Sequence, residues 1–432
     1  MKYLFTLSIA VSCFLCSMAS AQTTPGIQWQ KMIGGSSNDY MYSVIQTADG
    51  GSLIGGYSGS TISGDKTEAN QGGFDYWVLK LGISGNIEWQ NTIGGSSGDQ
   101  LYTVIQTADD GYLLGGYSNS NISGDKSEVS QGNSDYWVVK LGASGNIEWQ
   151  NTIGGNSVDY LNAVIETTGG GYLLGGYSES GISGDKTAAG IGDFWVVQLN
   201  ASGSIVSQYT IGGNSGDQLI SIVQTTDGGF LFGGYSSSGI SGNKTEASKG
   251  SYDYWVVKAD VSGNIEWDKT IGGSDKDYLR FALQSDDGGY LLGGYTLSGL
   301  SGNKTEASQG GWDYYVVKLN SAGGIEWQNT IGGLNDDFLF SGIEVIGGGY
   351  LLGGYSISSV SGDKTAPKKG EEDEWILKLD GSGNIIWQQT FGGDGTEYLY
   401  SIAQSADGGF LLGGTSASPI SDDVTEGATG YD

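Results

Sequence analysis

Seven carboxylates recur at one position along the chain: Asp39, Asp99, Asp159, Asp217, Asp277, Asp337 and Glu397. Carboxylates on a shared framework can do two kinds of chemistry. They can surround a hard cation, which wants about six to eight oxygens at one point, or work as acid–base pairs about 5–10 Å apart. An evenly spaced set suits neither, because it holds its members apart. No D-x-D-x-D-G loop accompanies them. Ca²⁺ is therefore the one cofactor left open. The competing expectation is that each carboxylate accepts backbone N–H groups in the Gly-Gly-Ser turn before it. Glu166 and Glu344 lie three units apart, too far for paired chemistry.

Other chemistries fall by composition. The 432 residues include no His, one Arg (Arg280) and two Cys (Cys13 and Cys16). That excludes His-based catalysis, His metal sites, Arg-cluster anion sites and a disulfide framework. A net charge of −29 makes nucleic acid and anionic membranes poor partners. Candidate ligand contacts are Phe74, Tyr252 and Trp312. They share a loop slot that holds Ser134, Gly192 and Glu372 elsewhere. A variable aromatic slot beside a fixed framework is where a ligand is expected. Eleven of the 12 Trp occupy repeat positions instead, as Trp77 and Trp89 do, and are expected to pack one unit on the next.

The elements that must position these residues form a repeat. Ile33-Gly34-Gly35 returns at Ile93, Ile153, Ile211, Ile271, Ile331 and Phe391, at spacings of 60, 60, 58, 60, 60 and 60. Each unit holds four strand-like runs, which in the first are YMYSVIQT, SLIGGY, YWVLKL and IEWQNTI (strands A to D). A D-G-G hairpin joins A to B, and a loop carrying SGDKT joins B to C. The 79 Gly are largely this punctuation. The expected fold is all-β: a seven-bladed β-propeller of ~60-residue, four-stranded repeats. D-to-A and B-to-C connections share one face, so the seven acids and the long loops belong together. The mid-strand residues Gln46, Gln106, Glu166, Gln224, Gln284, Glu344 and Gln404 are expected to form an inner hydrogen-bond belt.

The ends support a ring. Residues 27–33 form an isolated D-type run, and the last unit supplies only A and B before Gly430-Tyr431-Asp432. Strand D from the N-terminus should complete the seventh blade, whose C strand is missing. The natural chain is expected to continue with a YWVVKL-like strand. Residues 1–21 read as a secretory signal with an Ala19-Ser20-Ala21 cleavage site, and residues 22–432 as a single propeller domain.

Two known repeats are similar. Tyr112-Leu113-Leu114-Gly115-Gly116, the run Asp135 to Leu141, and Trp149 resemble a kelch repeat. The fuller string Asp313 to Leu319, Gly323-Gly324-Ile325-Glu326-Trp327, Ile331-Gly332-Gly333 and Asp337 resembles the bacterial SBBP-type propeller repeat. That resemblance implies a secreted surface protein of the Bacteroidetes kind. The propeller chemistries it brings to mind, copper oxidation and sialidase hydrolysis, need His and Cys or an Arg cluster, which a mature chain lacks. The expected role is a non-catalytic, monomeric binding scaffold at the cell surface. It would present the long-loop face to protein or polysaccharide, with no membrane insertion after signal cleavage. The alternatives are a carboxylate-dependent glycosidase or lyase, and a purely structural module.

Overall fold

Alternating polar and apolar residues in the first unit become strand A (Asp39–Gln46), and the runs after it become B (Ser52–Ser58), C (Asp75–Leu81) and D (Ile87–Ile93). They pair in sequence order as one antiparallel sheet, and five further units repeat the arrangement. The computed structural model describes residues 25–428, together with short strands at Leu4–Phe5 and Ser8–Val11. Successive A strands touch around the ring, and the A strand of the seventh unit (Glu397–Gln404) touches that of the first. The architecture is a β-propeller of six full blades and a partial seventh.

Its core lies between blades. Leu53, Tyr76 and Val78 of blade 1 pack with Leu101, Val104, Trp137 and Val139 of blade 2, and an equivalent cluster fills each junction. The strand C tryptophans Trp77, Trp137, Trp195, Trp255 and Trp375 are fully buried there. The Tyr76 hydroxyl donates to the Trp137 carbonyl at 2.9 Å, joining the two blades by a bond as well as by contact.

The Gly-Gly pair that ends strand B answers to two close approaches. A Cβ at Gly56 would stand 1.8 Å from the Tyr40 carbonyl oxygen of its own strand A, and one at Gly55 would stand 2.3 Å from Val104 of the next blade. One glycine lets A and B pair, and the other lets blades pack.

Blade 7 combines both ends of the chain. Its A and B strands (B is Phe410–Ser416) share a sheet with Lys31–Met32. Leu4–Phe5 lies between B and Lys31–Met32, parallel to both, while Ser8–Val11 runs antiparallel to Leu411–Gly414. The expected D strand over residues 27–33 is reduced to Lys31–Met32, which pairs with Leu4–Phe5. Side chains close the seam: the Met32 N–H donates to Glu426 at 2.9 Å, and the Val44 N–H to the Ser401 hydroxyl at 3.1 Å. Ala19-Ser20-Ala21 and Gly430-Tyr431-Asp432 lie outside the described residues.

Candidate functional site

The seven acids are all fully buried. Asp39 Oδ2 accepts the Gly35 N–H at 2.7 Å and the Ser60 hydroxyl at 3.1 Å. The pattern recurs in each unit, through Glu397, which takes the Gly393 N–H at 3.0 Å and the Ser418 hydroxyl. Burial pushes Asp277 up to about 6 and Glu397 up to about 7. The ring therefore clamps the D–A turns against the long loops. Among the described residues, no group of three or more His, Cys, Asp or Glu is placed to hold a metal ion.

A partner absent from the sequence reading is the lysine of the SGDKT loop. Lys66 is 1% exposed, donates to the Thr92 hydroxyl at 2.5 Å, and stands 5.0 Å from the Trp77 ring centroid. Asp39 and Asp75 supply its counter-charge. Burial pulls Lys66 down to about 8 and pushes Asp75 up to about 7. Blades 2 to 6 repeat this cage over Trp137, Trp195, Trp255, Tyr315 and Trp375. In blade 7, Val424 takes the lysine's place in the Ser421–Val424 bridge. These groups hold one another and present no reactive atom to solvent.

The mid-strand belt stitches neighbouring blades together. The Ala48 N–H donates to Gln106 at 2.8 Å and the Ala108 N–H to Glu166 at 2.8 Å, each across a blade junction. Glu166 and Glu344 serve this belt in different blades.

The open space lies on the ring axis. Every A–B ladder slips by one residue, between Met41 and Ser43 in blade 1 and at the same step in the other six. A β-bulge re-aims the extra side chain. Here the extra residues are Tyr42, Tyr102, Asn162, Ile220, Arg280, Phe340 and Tyr400, and all seven line one cavity of about 460 Å³. Tyr117, Tyr177 and Tyr235 from strand B, with Tyr160 and Gln218 from strand A, complete the wall. The volume falls in the range of small-ligand sites.

The wall is asymmetric. Rings run on from blade to blade, with Phe340–Tyr400 at 5.1 Å, Tyr400–Tyr42 stacked at 5.0 Å and Tyr42–Tyr102 at 5.0 Å. The Arg280 guanidinium caps this arc, 4.7 Å from the Phe340 centroid. Asn162 and Ile220 fill the other side. Burial raises the phenols of Tyr42, Tyr102, Tyr117 and Tyr235 above their usual value, so they are neutral at ordinary pH. The Tyr102 hydroxyl donates to Gln100 Oε1 at 3.0 Å and the Tyr235 hydroxyl to Gln218 Oε1, which leaves their oxygens as acceptors.

None of the three sequence candidates lines this cavity; each is half-buried and packs on neighbouring rings. Trp312 stacks on Tyr278 at 5.6 Å and meets Tyr295 edge-on at 5.1 Å. Tyr252 lies 5.6 Å from both Tyr235 and Tyr278, and Phe74 lies 5.3 Å from Tyr57. Tyr235 belongs to the cavity wall, and Tyr57 stacks on the wall residue Tyr42 at 5.4 Å, so the loop aromatics form a collar joined to it. On the same long loops, Ile62, Ile122, Ile182, Ile240, Leu300, Val360 and Ile420 are each at least 60% exposed, an aliphatic ring that the sequence reading passed over.

No family model matches the chain. It is 24% identical over 391 residues to the regulatory protein FlaEY of Caulobacter vibrioides, covering 82% of this chain and 40% of that protein. The chain thus spans about two fifths of that relative's length. Hydrazine synthase of Kuenenia stuttgartiensis aligns over 93% of this chain and 96% of its own at 12% identity, with a TM-score of 0.51. The WD40 domain of Neurospora crassa Pan2 aligns over 91% of both chains at 11% identity, with a TM-score of 0.47. BamB from Moraxella catarrhalis aligns over 96% of both at 13% identity, with a TM-score of 0.42. At 12% identity the likeness to the hydrazine synthase chain concerns the fold alone.

Proposed function

We propose that this protein is a non-catalytic binding propeller, exported to the cell surface, that seats a saccharide chain in the axial cavity through the long-loop face. One observation carries the reading: seven bulges aim a graded set of aromatic and polar side chains at one axial space. Aromatic faces pack against the C–H faces of sugar rings, and neutral phenols bond their hydroxyls. The buried acids favour binding over catalysis, since each is closed off from solvent and gives one oxygen to a turn N–H and a loop hydroxyl. Export rests on the leader at residues 1–21, and the SBBP-type assignment rests on the repeat string from Asp313 to Asp337.

A glycan array probed with the labelled protein tests the proposal. Binding to a restricted set of saccharides, lost in Tyr102→Ala with the melting temperature kept, supports it. An array without specific binding, or binding indifferent to Tyr102, contradicts it.

A further inference from the structure

The chain carries 48 acidic residues and a single arginine. That arginine lines the axial cavity, and none of the acids does. Among the described residues Arg280 has no ion-pair partner. Its Cζ stands 4.7 Å from the centroid of the Phe340 ring, and the residue lines the cavity beside the Tyr42 and Tyr235 phenols. A half-buried guanidinium facing phenols, with no carboxylate beside it, is a cation held in reserve. Its planar fork fits a carboxylate with two parallel bonds. A neutral sugar can offer that fork hydroxyl or carbonyl oxygens but no opposing charge, so its bonds there are the weaker ones. Asn162, also on the wall, is engaged by its Nδ2 donating to the Leu219 carbonyl at 2.7 Å, and Arg280 is the charged residue of the lining.

We propose that Arg280 makes the cavity selective for acidic saccharides, pairing with the carboxylate of one uronate residue while the aromatic arc holds its ring. This rests on the cavity being the saccharide seat. A peptide carboxylate could also pair with arginine, but the continuous arc of neutral rings and phenols suits a chain of sugar rings better.

Calorimetric titration of the full chain is the test, at about 0.15 M salt so that the protein's own negative field is screened beyond about 8 Å. The probes are a trisaccharide carrying one glucuronate, its methyl ester and an acidic peptide. The acid is expected to bind about tenfold or more tighter than its ester, the scale of a lost charge-assisted bond. Arg280→Gln should erase that preference, and Arg280→Lys should restore only part of it, with both variants melting as the wild type does. Equal binding of acid and ester that Tyr102→Ala abolishes overturns the arginine assignment and keeps the seat. Binding of neither trisaccharide overturns the seat itself. Arg280-dependent binding of the peptide alone overturns the saccharide class.

Discussion

A lysine buried between two carboxylates and over an indole ties its protonation to folding. Asp75 and Asp313, pushed up to about 7, hold protons that the unfolded chain would release near 3.8. Their stabilisation is complete below that value and is lost as pH rises through about 7. Lys66, Lys244, Lys304 and Lys364, pulled down to about 8, behave in the opposite sense. Their contribution is present above 10.5 and is lost as pH falls through about 8. Asp49 and Asp227, held at about 2, stay ionised and stabilising down to about pH 4. The melting temperature should therefore be higher at about pH 5 than at pH 7.5, and should recover towards pH 9.5. A calorimetric melting series checks this, and a maximum at neutral pH would contradict it. Asp159→Ala should destabilise by about 2–4 kcal/mol, because it strands the Gly155 N–H, the Ser180 hydroxyl and the Lys186 charge. Urea unfolding measures this.

The four strands of each unit were legible in the sequence because period-2 alternation and D-G turns are local signals. The bulge was not. It is marked by no glycine: the extra residue is Tyr in blade 1, Arg in blade 5 and Phe in blade 6. Plain alternation along strand A therefore hides the residue that enters the channel, and Arg280 stood out only as an odd residue type. The glutamines were legible as a belt, but their partners, the A–B turns of the preceding blades, are set by how blades pack. The lysine cages escaped notice because a lysine in a polar loop reads as solvated. What exposes the bulge is the strand B glycine opposite it. In blade 2 a Cβ at Gly116 would stand 2.0 Å from the Gln100 carbonyl oxygen. Gly116→Ala should cost about 3 kcal/mol in urea unfolding, as backbone overpacking does. A change under about 1 kcal/mol would mean that strand A has room to shift.

At the scale of the ring, closure depends on the two ends meeting. Gln30 donates to the Asp423 carbonyl at 2.5 Å, and Met32, Phe391, Leu399 and Leu412 share one cluster. A chain beginning at Gln22 keeps all of these contacts. It should melt within a few degrees of the full chain, whereas Glu426→Ala should speed amide exchange in Phe410–Ser416. Cooperative loss of structure on removing residues 1–21 would show that Ser8–Val11 is part of the blade rather than a leader. Six full blades and a partial seventh make the ring, and the proposed ligand seat draws on the asymmetry of the bulged residues. The most direct measurement places the ligand there. With fluorotyrosine incorporated and the resonances assigned by substitution, titration with the saccharide selected on the array should shift Tyr42, Tyr102 and Tyr400 and leave Tyr76 and Tyr314 in the blade cores unchanged. Saturable binding that leaves all three cavity tyrosines unmoved would contradict the account.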